Sequence, residues 1–126
     1  MNQDWNRGLT LKPEVLEKCK EIGQTDIVVG VLCKNVETTV LNVLNVINEG
    51  LYRYFPEHSK AIVISLADST DETEEAVNLF QPYGSVKKIV TSDIISEGKG
   101  SGVMTIFEIA HECDAKMVLL VDGDLL

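Results

Sequence analysis

Four short apolar runs, separated by stretches of helical periodicity, limit this chain more than any other feature. They are DIVVGVLC at 26–33, KAIVISLA at 60–67, VKKIVTS at 86–92 and KMVLLVD at 116–122. The first two are nearly continuous in Val, Ile and Leu, as strands covered on both faces are. VETTVLNVLNVINEGLYRYF, which follows the first, carries Val40, Val43, Leu44 and Ile47 at helical spacing. DSTDETEEAVNLF and KGSGVMTIFEIAHEC lead into helices after the second and third. Ahead of them all, KPEVLEKCKEIG reads as a helix that Pro13 opens and Gly23 closes, with Val15, Leu16, Cys19 and Ile22 on one face.

The order is a leading helix, then strand and helix three times, then a strand. It predicts an α/β fold, a Rossmann-like parallel sheet of about four strands with helices on both faces. With 126 residues the chain makes a single domain, 1–126: a lead-in and helix over 1–25, then the body over 26–126. Ligands of such sheets bind beyond the C-terminal strand ends, near the point where strand order reverses. The informative loops are therefore 33–38, 66–72, 92–101 and 122–126.

Composition narrows the classes of partner. A net charge of −9 argues against nucleic acid and anionic membrane held through the general field. No run approaches the ~18 apolar residues of a membrane helix, and the first residues lack the pattern of a signal peptide. Cys19, Cys33 and Cys113 are odd in number and far apart in sequence, which favours reduced thiols packed in the core of a cytoplasmic protein. His58 and His111 match no metal spacing and read as structural or surface residues.

Each loop has a plain reading beside a chemical one. In CKNVETT, Asn35 or Thr38 can cap the next helix, and Glu37 suits the positive end of its dipole. In LADSTDETEE, Ser69, Thr70 and Asp71 can cap, whereas Asp68 precedes the cap, where a carboxylate can accept hydrogen bonds from a ribose or a base. Glu72, Glu74 and Glu75 read as a solvated helical face. SEGKGSGV fails the Walker pattern, because Lys99 is followed by Gly100 where Ser or Thr is required; it fails GxGxxG as well. What remains is a glycine-rich turn opening a helix, with Lys99 as one cation at the mouth of the cleft. In VDGDLL, Asp122 and Asp124 flank a glycine after a strand. Carboxylates one residue apart can address one cation, and oxygen ligands suit Mg²⁺ or Mn²⁺. The same triplet is also good turn chemistry.

In order and spacing, VGVLCKNVETTV, ISLADSTDET, EGKGSGVMTIFEIA and MVLLVDGDL together resemble the N-terminal half of GT-A glycosyltransferases, of the family-2 kind and its retaining relatives. The Gly-Lys-Gly turn with DGDL looks particularly like synthases of the glucosyl- or mannosyl-glycerate type. Two local differences stand out. Ala67-Asp68 runs straight into Ser69, where many members have an extra glycine, and Val36 separates Asn35 from Glu37.

The resemblance implies the nucleotide-sugar-binding half of a truncated GT-A domain, with Asn35, Glu37, Asp68, Lys99 and Asp122 at the donor. Asp68 would contact the base, Lys99 would lie near the phosphates, and Asp122 would face ribose or metal. Asp124, with Asp122, would hold the divalent cation, Mg²⁺ or Mn²⁺. The donor would be a UDP- or GDP-linked sugar, and the full enzyme would transfer its sugar to an acceptor hydroxyl. Acceptor-binding residues and a catalytic base would follow the Asp-Gly-Asp motif, so no catalytic residue is assigned, and these 126 residues are expected to have little or no activity alone. The fourth strand would then expose an edge, through which a homo-oligomer could form. A non-catalytic α/β module that associates with itself or a partner and retains only a vestigial site is the alternative.

Overall fold

Residues 11–92 and 99–124, the side chains of 99–101 excepted, are described by a computed structural model. The elements run α1 (Pro13–Ile22), β1 (Ile27–Cys33), α2 (Val40–Tyr54), β2 (Lys60–Leu66), α3 (Thr73–Leu79), β3 (Val86–Ser92), α4 (Lys99–Glu112) and β4 (Met117–Asp122). The predicted order is observed, with boundaries within a few residues. The four strands form one parallel sheet in the order β3-β2-β1-β4.

Helices cover both faces because successive strand side chains point to opposite sides. Val29 and Val31 of β1 and Ile62 and Ile64 of β2 pack with Val40, Val43, Leu44 and Leu51 of α2 and Val77 of α3. Val28 and Val63 face the other way and pack with Val15 and Cys19 of α1 and Ile106, Ile109 and Ala110 of α4. Leu16 and Ile22 join that second cluster at its margin, so the apolar stripe read from α1 is the face it buries. Cys19, Cys33 and Cys113 are free and buried in these clusters. Among the described residues no helix is long and apolar enough to cross a membrane.

Two glycines set how closely α4 lies on the sheet. A Cβ at Gly30 would stand 2.6 Å from Cδ1 and Cγ2 of Ile106, and one at Gly102 would stand 2.8 Å from Ser65 Oγ and 2.9 Å from Leu32 Cδ2. Gly102 thus lets the first turn of α4 rest on the C-terminal ends of β1 and β2. Of the glycine-rich stretch read from the sequence, Gly102 serves helix-to-strand packing.

The fourth strand departs from its sequence. KMVLLVD looks as buried as the first two runs, yet no residue of β4 is buried. Strand order explains this: β4 lies at the edge of the described sheet, with β1 on one side only.

Candidate functional site

All four strands are parallel, so their C-terminal ends share one edge of the sheet. After β1 the chain builds outward through β2 and β3, then returns to place β4 on the other side of β1. The reversal falls between β2 and β4, at β1, and the C-terminal side of such a reversal is where open α/β sheets bind ligands.

The first two loops are bonded to each other. Asn35 adopts φ 53°, and its N–H donates to Ser69 Oγ at 3.0 Å. Its Oδ1 accepts from the Thr70 N–H at 2.8 Å. Val36 N–H donates to Thr73 Oγ1 at 2.8 Å and Glu37 N–H to Asp71 Oδ2 at 3.2 Å, while Glu37 Oε1 accepts from the Glu72 N–H at 3.1 Å. Asn35 and Glu37 therefore hold the second loop against the first.

The helix starts differ from those the sequence suggests. Thr39 and Glu72 flank α2 and α3, and neither makes a side-chain cap. Asp71 bonds two residues ahead, its Oδ1 accepting from the Thr73 N–H at 3.0 Å. The Thr73 hydroxyl, then the Glu37 and Thr73 amides, hold the Asp71 carboxyl below the usual carboxylate range. Ser69 is used by the first loop.

The fourth loop is tied to the first at its central glycine. Gly123 N–H donates to Leu32 O at 2.9 Å, and its carbonyl accepts from Thr39 Oγ1 at 2.8 Å. A Cβ on Gly123 would meet Cys33 Sγ and Val36 Cγ2 at 3.1 Å and Leu32 O at 3.2 Å. With both backbone groups engaged and no room for a side chain, Gly123 fixes where Asp122 and Asp124 sit. Asp122 is half-buried at the end of β4, and Asp124 is exposed just beyond. The sequence offers Asn35 and Thr38 as helix-start residues and does not single out Thr39, whose reach to Gly123 exists only in the folded chain.

Asp68 is exposed beyond the end of β2. It lines a cleft of about 330 Å³ with Ser69, Asp71, Glu74, Glu75 and Ser92, the last residue of β3. Four carboxylates on that wall disfavour a phosphate and suit hydrogen-bond donors such as base N–H or ribose hydroxyls. Because β1 separates β2 from β4, the strands that lead to Asp68 and Asp122 run about 10 Å apart, two strand spacings. Lys99 begins α4, and its side chain lies outside the described residues, as does the stretch 93–98 that leads to it. The N-terminal end of α4, where unpaired backbone N–H groups favour anions, packs through Gly102 onto the same edge.

Among the described residues no three or more His, Cys, Asp or Glu gather as a protein-only metal set. Asp122 and Asp124 supply hard oxygen donors on a rigid turn; that chemistry fits a cation whose remaining ligands come from a bound anion and water.

A scan against models of protein families gives no match, and a search of curated proteins likewise finds none. Among solved structures the chain is similar to glucosyl-3-phosphoglycerate synthase from Mycobacterium tuberculosis in complex with uridine diphosphate. The identity is 20% and the TM-score 0.59, over 88% of this chain and 37% of that one. The chain thus spans under two fifths of that enzyme's length, and what the two share is the α/β fold.

Proposed function

We propose that this chain is the nucleotide-sugar-binding portion of a metal-dependent glycosyltransferase. The donor, a UDP- or GDP-linked sugar, would lie along the C-terminal edge of the sheet, its base toward Asp68 and its diphosphate at the turn after β4. The observation that carries this reading is the Asp122-Gly123-Asp124 turn, locked to Leu32 and Thr39 at the reversal of strand order. Its support from outside the chain is the fold held in common with a synthase seen with uridine diphosphate.

Roles for the residues follow from their chemistry. Mg²⁺ or Mn²⁺ held by Asp124 and Asp122 would neutralise charge on the leaving nucleoside diphosphate. The start of α4 favours phosphates, and Lys99 would add positive charge there. Asn35 and Glu37 shape the donor site through their bonds to residues 69–73, and Asn35 Nδ2 and Glu37 Oε2 are the atoms left to meet the sugar nucleotide. In the full enzyme the sugar passes to an acceptor hydroxyl.

Thermal denaturation with UDP- and GDP-sugars, each with and without Mn²⁺, tests the proposal. Ligand at a hundredfold its Kd stabilises the folded state by about 2.7 kcal/mol, so at least one donor should raise the midpoint by several degrees, and only with metal. Asp124→Ala should remove the metal dependence and leave the unliganded midpoint unchanged, since Asp124 is exposed. No shift with any donor would overturn the donor-site reading. The exposure of β4 favours a second reading, a non-catalytic self-associating module; association without any nucleotide response would select it.

A further inference from the structure

Two of the three buried cysteines meet. Cys19 of α1 and Cys113, just beyond α4, lie in one apolar cluster and are 3% and 1% exposed. Their thiols are hydrogen-bonded to each other. One short turn holds both backbones. Gly23 N–H donates to Cys19 O and Thr25 N–H to Cys113 O, each at 2.9 Å. Thr25 is itself buried, and its hydroxyl donates to Gly23 O at 3.1 Å. Between them Gln24 Nε2 donates to Asp114 O at 3.1 Å. Cys113 N–H closes the last turn of α4 on Ile109 O at 3.0 Å. The ends of α1 and α4 are thus fastened together through residues 23–25, with the two sulfurs in contact between them. Cys33 lies in the cluster on the opposite face of the sheet, where its thiol donates to Val31 O at 3.9 Å.

From this geometry we propose that Cys19 and Cys113 are a redox site, at which hydrogen peroxide converts the pair to a disulfide joining α1 to α4. Peroxide is the fitting oxidant because it is little larger than water, and burial keeps bulkier disulfides out. The bond from Cys19, helped by the Thr25 hydroxyl, holds the Cys113 thiol below its usual range against the effect of burial. The same bond, and then burial, pushes the Cys19 thiol up. Cys113 is therefore the thiol that loses its proton and attacks first. Its sulfur takes one peroxide oxygen as the O–O bond breaks, leaving a sulfenic acid and one water. The Cys19 sulfur then attacks the Cys113 sulfur. The S–S bond forms, the S–O bond breaks, and the departing hydroxide leaves with the Cys19 proton as a second water. Two electrons pass from the sulfurs to the peroxide. The folded chain already holds the sulfurs together, and the cross-link closes a long loop, which constrains the unfolded chain strongly. The pair lies at the N-terminal edge of the sheet, where Thr25 leads into β1, so the inference does not depend on the donor-site reading.

Thiol counting and peptide mapping of the folded chain after treatment with hydrogen peroxide test the inference. Free thiols, blocked with a maleimide after denaturation, should fall from three to one. Proteolysis without reductant should give one linked pair of peptides, joining Cys19 to Cys113. The melting midpoint should rise by several degrees and return to its starting value on reduction. Cys113→Ser should abolish both the linked peptides and the rise, with Cys19 left reduced. Three free thiols after treatment overturn the inference, as does a link made through Cys33 or a Cys113 carried to sulfinic acid without linkage. A linked form that melts below the reduced one also overturns it, because the disulfide would then not fit the native packing. The map of the unsubstituted chain decides the matter even if Cys113→Ser proves unfolded.

Discussion

β2 and β4 read almost alike, as KAIVISL and MVLLVD, yet they have opposite surroundings. All seven residues of β2 are buried, whereas none of β4 is. β2 lies between β1 and β3 with helices on both faces, and among the described residues β4 has only β1 beside it. An apolar run reports that a strand belongs in a parallel sheet; its place in the strand order decides whether neighbours actually cover it. The same contrast separates the loops. The loop after β2 is bonded at several points to the loop after β1, and the turn after β4 is tied down through one glycine.

The widest test of that contrast is a pair of truncations. Ile62→Ala removes a fully buried side chain and should cost about 2–5 kcal/mol in urea unfolding. Leu119→Ala should cost about 0.5 kcal/mol or less, as exposed substitutions do. Equal costs would mean that β4 is covered as β2 is. Gly30→Ala sharpens the account of α4: the new methyl meets Ile106, itself fully buried, and should cost about 1–3 kcal/mol through overpacking. A neutral result would show that α4 can lift from the sheet.

Smaller effects probe the loop pair. Asn35→Ala removes the bond to Thr70 and puts at φ 53° a residue that tolerates the left-handed region less well than Asn, for a loss of about 1–2 kcal/mol. Asn35→Gly should lose less, because it escapes the backbone cost. If the two variants matched in chemical denaturation, the hydrogen bond alone would account for the residue. Asp71 should give the smallest change. Its folded pKa is lowered, chiefly by the Thr73 hydroxyl. It therefore contributes stability above its unfolded value of about 3.9, and that contribution is lost as pH falls through the folded value. Asp71→Asn should flatten the acid limb of stability against pH, and an unchanged limb would show that the carboxylate is not held by these bonds in solution.

Much of the fold was legible because its signals are local. Val15, Leu16, Cys19 and Ile22 repeat at helical spacing, and they are the residues α1 turns to the sheet. Runs of valine and isoleucine mark β1 and β2, and alternation of strands with helices implies the parallel sheet. The sequence also placed Asp68, Asp122 and Asp124 in loops that the structure sets on one edge. It could not show that Asp71 would bond to Thr73 rather than act as a helix cap, or that Asn35 and Glu37 would bind residues 69–73. Those bonds join positions about 35 apart, and spacing along a chain says nothing of such partners.

Sequence alone determined the kind of elements, their order, and the hard-oxygen chemistry of Asp122-Gly123-Asp124, because periodicity and residue type act over a few neighbouring residues. Tertiary structure alone decided that Gly123 would be pinned between Leu32 and Thr39, that Gly30 and Gly102 would admit α4 to the sheet, and that β4 would lie beside β1 at the edge of the described sheet. Each depends on which strands lie side by side, a choice made by the packing of the whole sheet and its helices.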